Sequence, residues 1–169
     1  MKKHITIRTM VPSDIDIICD EERKQGWHPE PRQYEMRLRD MEQGKSIAFI
    51  AELNGQVAGY NNLYFVQAIG PYVDKGIPEV VDLGVFERSQ RHGVGAALME
   101  AAEQKAQELG DSVCIGVGLH SGYGSAQRMY VKRGYIPDGS GVWFQGKICD
   151  QYAPCMNDDD LVLYMKKDF

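Results

Sequence analysis

No run of apolar residues in this chain approaches the roughly 20 that a membrane-spanning helix needs, so no membrane partner is expected. The opening Met1-Lys2-Lys3-His4 is basic, but Ile5-Thr6-Ile7-Arg8-Thr9 alternates like a strand where a signal peptide would need unbroken apolar sequence; export is not expected. Cysteine is sparse. Cys19, Cys114, Cys149 and Cys155 show neither CxxC pairing nor framework spacing, and read as reduced thiols of a cytoplasmic protein. His4, His28, His92 and His120 share no ligand spacing with one another or with the cysteines, so no metal is expected. A Gly-x-Ser-x-Gly elbow is missing too, which removes support for an acyl-serine mechanism. The formal net charge of −5 does not advertise nucleic-acid binding and mildly favours a cationic acceptor such as an amine. Internal repeats, low-complexity tracts and interdomain linkers are absent.

What is present is the composition of an ordered globular chain. With 169 residues, 43% hydrophobic and 25% charged, one domain over residues 1–169 can bury a core without metal or disulfide staples. His4 to Met10 reads as a strand. Ser13 before Asp14 and Asp16 suits an N-cap, opening a helix that turns Ile15, Ile17, Ile18 and Cys19 inward and ends near Gln25-Gly26. A proline-rich loop comes next, then a second helix from about Arg32 to Glu42 with few apolar residues: Tyr34, Met36, Leu38 and Met41. Asn54-Gly55 is a strong hairpin signal between strands at Ser46 to Leu53 and Gln56 to Phe65. A strand is expected over Glu79 to Val85, a helix from Gly93 to about Leu109, a strand over Val113 to Val117, and a helix from Gly124 to Arg133. The tail alternates weakly through Val142-Trp143-Phe144 and Leu161 to Met165. This order describes a mixed α/β sheet with helices on both faces.

The chemistry concentrates after Val85. A strand ends, a polar turn comes next, and a helix opens with Gly93 and Gly95 one residue apart. A helix N-terminus leaves amides unpaired and carries partial positive charge, so such a turn binds phosphate oxygens. Glycine removes the Cβ atoms that would hold a pyrophosphate away from those amides. Gln90, Arg91 and His92 add side-chain donors at the rim. The Walker pattern requires Gly-Lys-Ser/Thr, whereas Gly95 precedes Ala96 and Ala97; the dinucleotide pattern requires Gly or Ala where Leu98 stands.

Gln90-Arg91-His92-Gly93-Val94-Gly95 instead resembles the Gln/Arg-x-x-Gly-x-Gly/Ala signature of the GNAT superfamily of acyl-CoA-dependent N-acyltransferases. Ser125-Ala126-Gln127-Arg128-Met129-Tyr130-Val131-Lys132-Arg133-Gly134-Tyr135 is similar to the family's later motif, an alanine-bearing helix leading to Tyr-x-x-x-Gly-Phe/Tyr. The resemblance spans roughly Ile47 to Ile136 and implies a mostly antiparallel sheet of about seven strands. It implies acetyl-CoA as cosubstrate, its pyrophosphate on Gln90, Arg91, His92, Gly93, Val94, Gly95 and Ala96, and a primary amine of a small molecule, peptide or protein as acceptor. Main-chain groups of Leu83 and Val85 would hold the pantetheine arm and thioester. Tyr130 would stand near the sulfur, where a phenol of pKa about 10 has a proton to donate; its other reading is aromatic packing.

Glu79 is the candidate general base. It lies six residues before Val85, so alternation places both side chains on one face and Asp82 on the other; a strand carboxylate facing solvent is the competing reading. Many family members carry an asparagine where Tyr123 stands, leaving Ser121 or Ser125 to contact the arm. Acceptor contacts would come from Trp27, His28, Tyr34, Trp143, Phe144 and Tyr152. Asp158-Asp159-Asp160 reads either as a receiver of an organic cation or as a solvated turn. A homodimer is a family-level expectation. A binding module that senses acyl-CoA without turnover remains the alternative.

Overall fold

The structure, a computed structural model, describes residues 4–169; the basic start Met1-Lys2-Lys3 lies outside the described residues. The chain divides into two compact units. One runs to Tyr64 and resumes over Val81–Lys105; the other comprises Phe65–Val80 and Ala106–Phe169.

In the first unit β1 (Ile5–Thr9) pairs antiparallel with β2 (Ser46–Leu53), which pairs antiparallel with β3 (Gln56–Tyr64). Asn54 (φ 53°) and Gly55 (φ 80°) both take the left-handed conformation that a tight hairpin turn requires. Between β1 and β2 lie α1 (Asp14–Lys24) and α2 (Pro31–Glu42). Ile18, Cys19 and Tyr34 pack with Met10, Ala48, Ile50, Val57, Tyr60 and Phe86, and Ile15, Leu38 and Met41 close over them.

Two local expectations are corrected here. Ser13 stands at the N-cap of α1, but its side chain makes no capping bond. The carboxylate of Asp14 instead ties the helix start to the preceding chain, accepting from the Val11 amide at 2.8 Å and from both terminal nitrogens of Arg8 at 2.7 Å. Ile17 is 43% exposed, because the buried stripe of α1 runs through Ile18, Cys19 and the carboxylate of Glu22.

In the second unit β5 (Ser112–Gly118) pairs antiparallel with β8 (Leu161–Asp168), and β8 with β6 (Ile136–Phe144), which forms a hairpin with β7 (Lys147–Ile148). The register of β6 slips between Pro137 and Val142, where Gly139 (φ 85°) and Gly141 (φ 81°) take left-handed turns. β6 is therefore longer than its apolar end at Val142 suggests, and β7 is a strand the alternation did not reveal. α4 (Gly124–Lys132) stops before Gly134 at φ 95°.

β4 (Glu79–Val85) and α3 (Val94–Gln107) each contribute to both units. The strands hydrogen-bond in the order β1-β2-β3-β4-β5-β8-β6-β7, a mixed sheet of eight strands, mostly antiparallel, with β4 and β5 parallel. Among the described residues no helix is long and apolar enough to cross a membrane.

Candidate active site

β4 has an interrupted backbone. It pairs with β5 at Glu79↔Cys114 and Val80↔Ile115, and two residues later Asp82 takes a φ of 52°. A left-handed residue inside a strand rotates the backbone beyond it, so counting by twos from Glu79 to Val85 does not carry through Asp82. The Asp82 carboxylate accepts from Gln33 at 2.9 Å and forms an ion pair with Arg37, both on α2. Beyond Asp82 the strand passes very close to β3. A Cβ on Gly84 would stand 2.5 Å from the Tyr60 ring, and one on Gly59 would stand 2.5 Å from the Gly84 carbonyl. The Tyr60 hydroxyl donates at 2.5 Å to the buried Glu22 carboxylate, to which Tyr34 also donates at 2.6 Å. Tyr34 is thus a core residue rather than one free for an acceptor. Leu83 and Val85 are half-buried strand residues of this segment.

The turn between β4 and α3 has the geometry of an anion cradle. Arg91 (φ 60°) and Gly93 (φ 88°) are both left-handed, and a Cβ on Gly93 would touch only Ile5, at 3.6 Å. The first helical bond of α3 runs from the Ala97 amide to the Gly93 carbonyl (3.0 Å), so the amides of Val94, Gly95 and Ala96 have no partner inside the helix. These residues fit a pyrophosphate. The rim donors are partly used within the turn itself: Gln90 donates to the Val85 carbonyl at 3.3 Å, and His92 donates through Nδ1 to the Gln90 carbonyl at 2.5 Å. Arg91 is exposed.

In the second unit Glu79 is 9% exposed, and Gln67 donates to its carboxylate at 3.0 Å. Gln67 is itself oriented by the Tyr72 amide, which donates to its carbonyl oxygen at 2.6 Å. Gly70 is needed for this fold of the loop: its φ is 131°, and a Cβ there would lie 2.7 Å from the Gln67 amide. The solvent-facing reading of Glu79 is therefore set aside. Tyr164 donates to the Ile69 carbonyl at 3.2 Å and meets the Trp143 ring edge to face. Burial, with added repulsion from Glu79 and Cys114, pushes the Tyr164 phenol up to about 12. The Cys114 thiol is likewise pushed up by burial and by Glu79. Gln67 escaped sequence reasoning because nothing marks a lone glutamine in a loop as the partner of a residue on β4.

Tyr130 on α4 is buried, and that burial, followed by the influence of Tyr123, raises its phenol well above its ordinary range, so it keeps its proton. Gln127 on the same helix donates to the Gly118 carbonyl at 2.8 Å, fixing α4 to the end of β5. Ser125 is exposed on the first turn of α4. Tyr123 lies against Gly118, where a Cβ would come within 2.4 Å of its ring. Its hydroxyl donates to Asp159 at 2.8 Å, and His120 Nε2 meets the same carboxylate at 3.1 Å while Nδ1 accepts from the Gly122 amide. The His120 and Tyr123 hydrogen bonds hold Asp159 below the usual carboxylate range, while its side chain stays 79% exposed, as the solvated-turn reading expects. Among the described residues no group of His, Cys, Asp and Glu could hold a metal ion.

A mixed sheet with a glycine turn of anion-cradle geometry opening the helix after its interrupted strand defines a GNAT-like α/β protein. The model of the acetyltransferase (GNAT) family matches residues 15–135, and the chain belongs to that family. It is 26% identical over 142 residues to an N-alpha-acetyltransferase of Sulfurisphaera tokodaii, covering 79% of this chain and 81% of that one. Its fold is similar to Ard1 from Thermoplasma volcanium (TM-score 0.70, 20% identity, 97% of each chain). It is also similar to the PaiA N-acetyltransferase of Thermoplasma acidophilum in complex with coenzyme A (TM-score 0.67, 12% identity, 98% of this chain and 99% of that).

Proposed function

We propose that this chain is an acetyl-CoA-dependent N-acetyltransferase whose acceptor is a primary amine, with the α-amino group of a peptide or protein favoured over a small-molecule amine. The observation that carries the reading is the cradle at Gln90–Ala96, with its two left-handed residues and its open first-turn amides. The similarity to an N-alpha-acetyltransferase supports the acceptor class. Acetyl-CoA, when bound, supplies an acetyl group activated as a thioester. The amides of Val94, Gly95 and Ala96 bind its pyrophosphate, with Gln90, Arg91, His92 and Gly93 shaping the turn. Ser125 and the main chain of Leu83 and Val85 hold the pantetheine arm and the thioester.

Glu79 takes the proton from the acceptor ammonium, leaving a neutral amine able to attack. A carboxylate oriented by Gln67 is suited to this, since proton transfer depends first on position. Tyr130 holds a proton that it gives to the departing sulfur. Its raised phenol remains protonated across the working pH range, so its ionisation sets no limb of the pH profile.

The test is acetyl-CoA-dependent thiol release against a panel of amines and N-terminal peptides, with the acetylated product identified by mass. Glu79→Gln and Tyr130→Phe should each lower kcat by about 10²-fold or more while CoA binding persists. Thiol release with none of these acceptors would refute the enzyme reading. Unchanged rates in both variants would remove the assigned roles.

A further inference from the structure

Gln33, Arg37 and Asp40 stand at i, i+4 and i+7 on α2, beside a second stripe of the same spacing, Tyr34, Leu38 and Met41, that enters the core. This explains why α2 has so few apolar residues: part of its inward face is polar. Arg37 donates to the Tyr64 hydroxyl at 2.8 Å with its guanidinium 5.2 Å from that ring's centre, and Tyr64 donates to Asp40 at 2.6 Å. The arginine is thereby anchored on β3, with a side chain only 14% exposed. Its other terminal nitrogen and the Gln33 amide both meet Oδ2 of Asp82, the one residue of β4 with a left-handed backbone. Aspartate enters the left-handed region more readily than most side chains, but inside a strand that conformation still costs free energy, which contacts such as these offset.

We propose that Asp82 is a positioning residue: with Gln33 and Arg37 it clamps the turn in β4, and so sets the main chain of Leu83 to Val85 that receives the acetyl thioester. This rests on the acetyltransferase reading. The clamp also separates Asp82 from the role of general base. Its carboxylate is turned to α2, where Oδ2 accepts from both the Arg37 guanidinium, which stays charged at any working pH, and the Gln33 amide.

The experiment is calorimetric titration of CoA and of acetyl-CoA, with thermal melting and a pH–rate profile, on Arg37→Met, Asp82→Gly, Asp82→Asn and the Arg37→Met/Asp82→Gly double variant. Arg37→Met and Asp82→Gly should each weaken acetyl-CoA by about fivefold more than CoA, the value of one displaced main-chain hydrogen bond. The shape of the pH profile should not move. Asparagine tolerates the left-handed region and still accepts from Gln33, so Asp82→Asn should recover most of the loss. The double variant should lose no more than the worse single one, because both remove one interaction. Should Arg37→Met not fold, Gln33→Leu removes one donor of the clamp and leaves the ion pair, with a smaller loss of the same selectivity expected.

Equal effects on both ligands, additive losses in the double variant, or a displaced pH limb in Asp82→Asn would each overturn the clamp. Wild-type protein that binds neither ligand would overturn the acetyltransferase reading itself. Wild-type binding with indifferent variants would overturn the clamp alone.

Discussion

A methyl group placed at Gly84 tests whether β4 is seated on Tyr60 as tightly as the geometry requires. The added Cβ would lie 2.5 Å from Cζ of Tyr60, 2.7 Å from its hydroxyl oxygen and 2.8 Å from Cε1. The ring has little room to retreat. It is 9% exposed, with Tyr34 edge-on at 5.6 Å and Phe86 at 6.3 Å, and its hydroxyl is bonded to the buried Glu22. Overpacking of this kind costs roughly 1–3 kcal/mol. If the ring swings away, the bond to a charged partner goes too, at roughly 1.5–3 kcal/mol. Gly84→Ala should therefore lose about 3–5 kcal/mol by urea denaturation at neutral pH. The same substitution in a Tyr60→Leu background should cost under about 1 kcal/mol, since the obstructing ring is gone. A wild-type cost under about 1 kcal/mol, or an equal cost in both backgrounds, would refute the close seating of β4.

Arg8→Met leaves Asp14, only 1% exposed, without its bidentate partner; since Arg8 is itself 32% exposed, a loss of about 2 kcal/mol is expected, below the range for a fully buried pair, and a Tm unchanged within error would contradict it. Alkaline stability should fall as pH rises past about 10. Burial raises the phenols of Tyr34, Tyr60 and Tyr130, and pushes those of Tyr72 and Tyr164 up to about 12, so the unfolded chain releases these protons first and the protection they confer below pH 10 is lost above it. Phenolate absorbance should lag behind that of free tyrosine until circular dichroism reports unfolding; early, complete ionisation of the folded protein would contradict the burial. Gly70→Ala should weaken activity through Glu79, because a Cβ there meets the Gln67 amide; a kcat lowered by about tenfold is expected, and an unchanged kcat would show that Gln67 does not orient the base.

Features set by short-range pattern were legible in the sequence. The Asn54-Gly55 hairpin, the strand before the glycine turn and the helix after it come from neighbouring residues alone, and the order of elements was enough to expect a mixed sheet. Features set by distant partners were hidden. Glu22 looks like one more surface charge of α1 until Tyr34 and Tyr60 are seen to converge on it. Asp82 counts as an alternating strand residue until Gln33 and Arg37 are placed beside it, and the alternation that aligned Glu79 with Val85 fails there. The start of β6 escaped notice because Asp138-Gly139-Ser140-Gly141 carries no apolar alternation, its glycines being spent on the register slip, and β7 because its 2 residues, Lys147–Ile148, are too few to alternate. The motif residues of the cradle were readable, whereas the internal use of Gln90 and His92 required their backbone partners.

The central claim is that the turn from Gln90 to Ala96 holds the pyrophosphate of CoA, and isothermal titration of CoA into wild-type protein and Gly93→Asp tests it most directly. The aspartate would set a side chain and a negative charge against the anion, at a position where φ is 88° and the added atom meets only Ile5. Binding to the wild type, and its loss in a variant that still melts cooperatively, is the predicted result. Equal CoA affinity in the two proteins would contradict the placement.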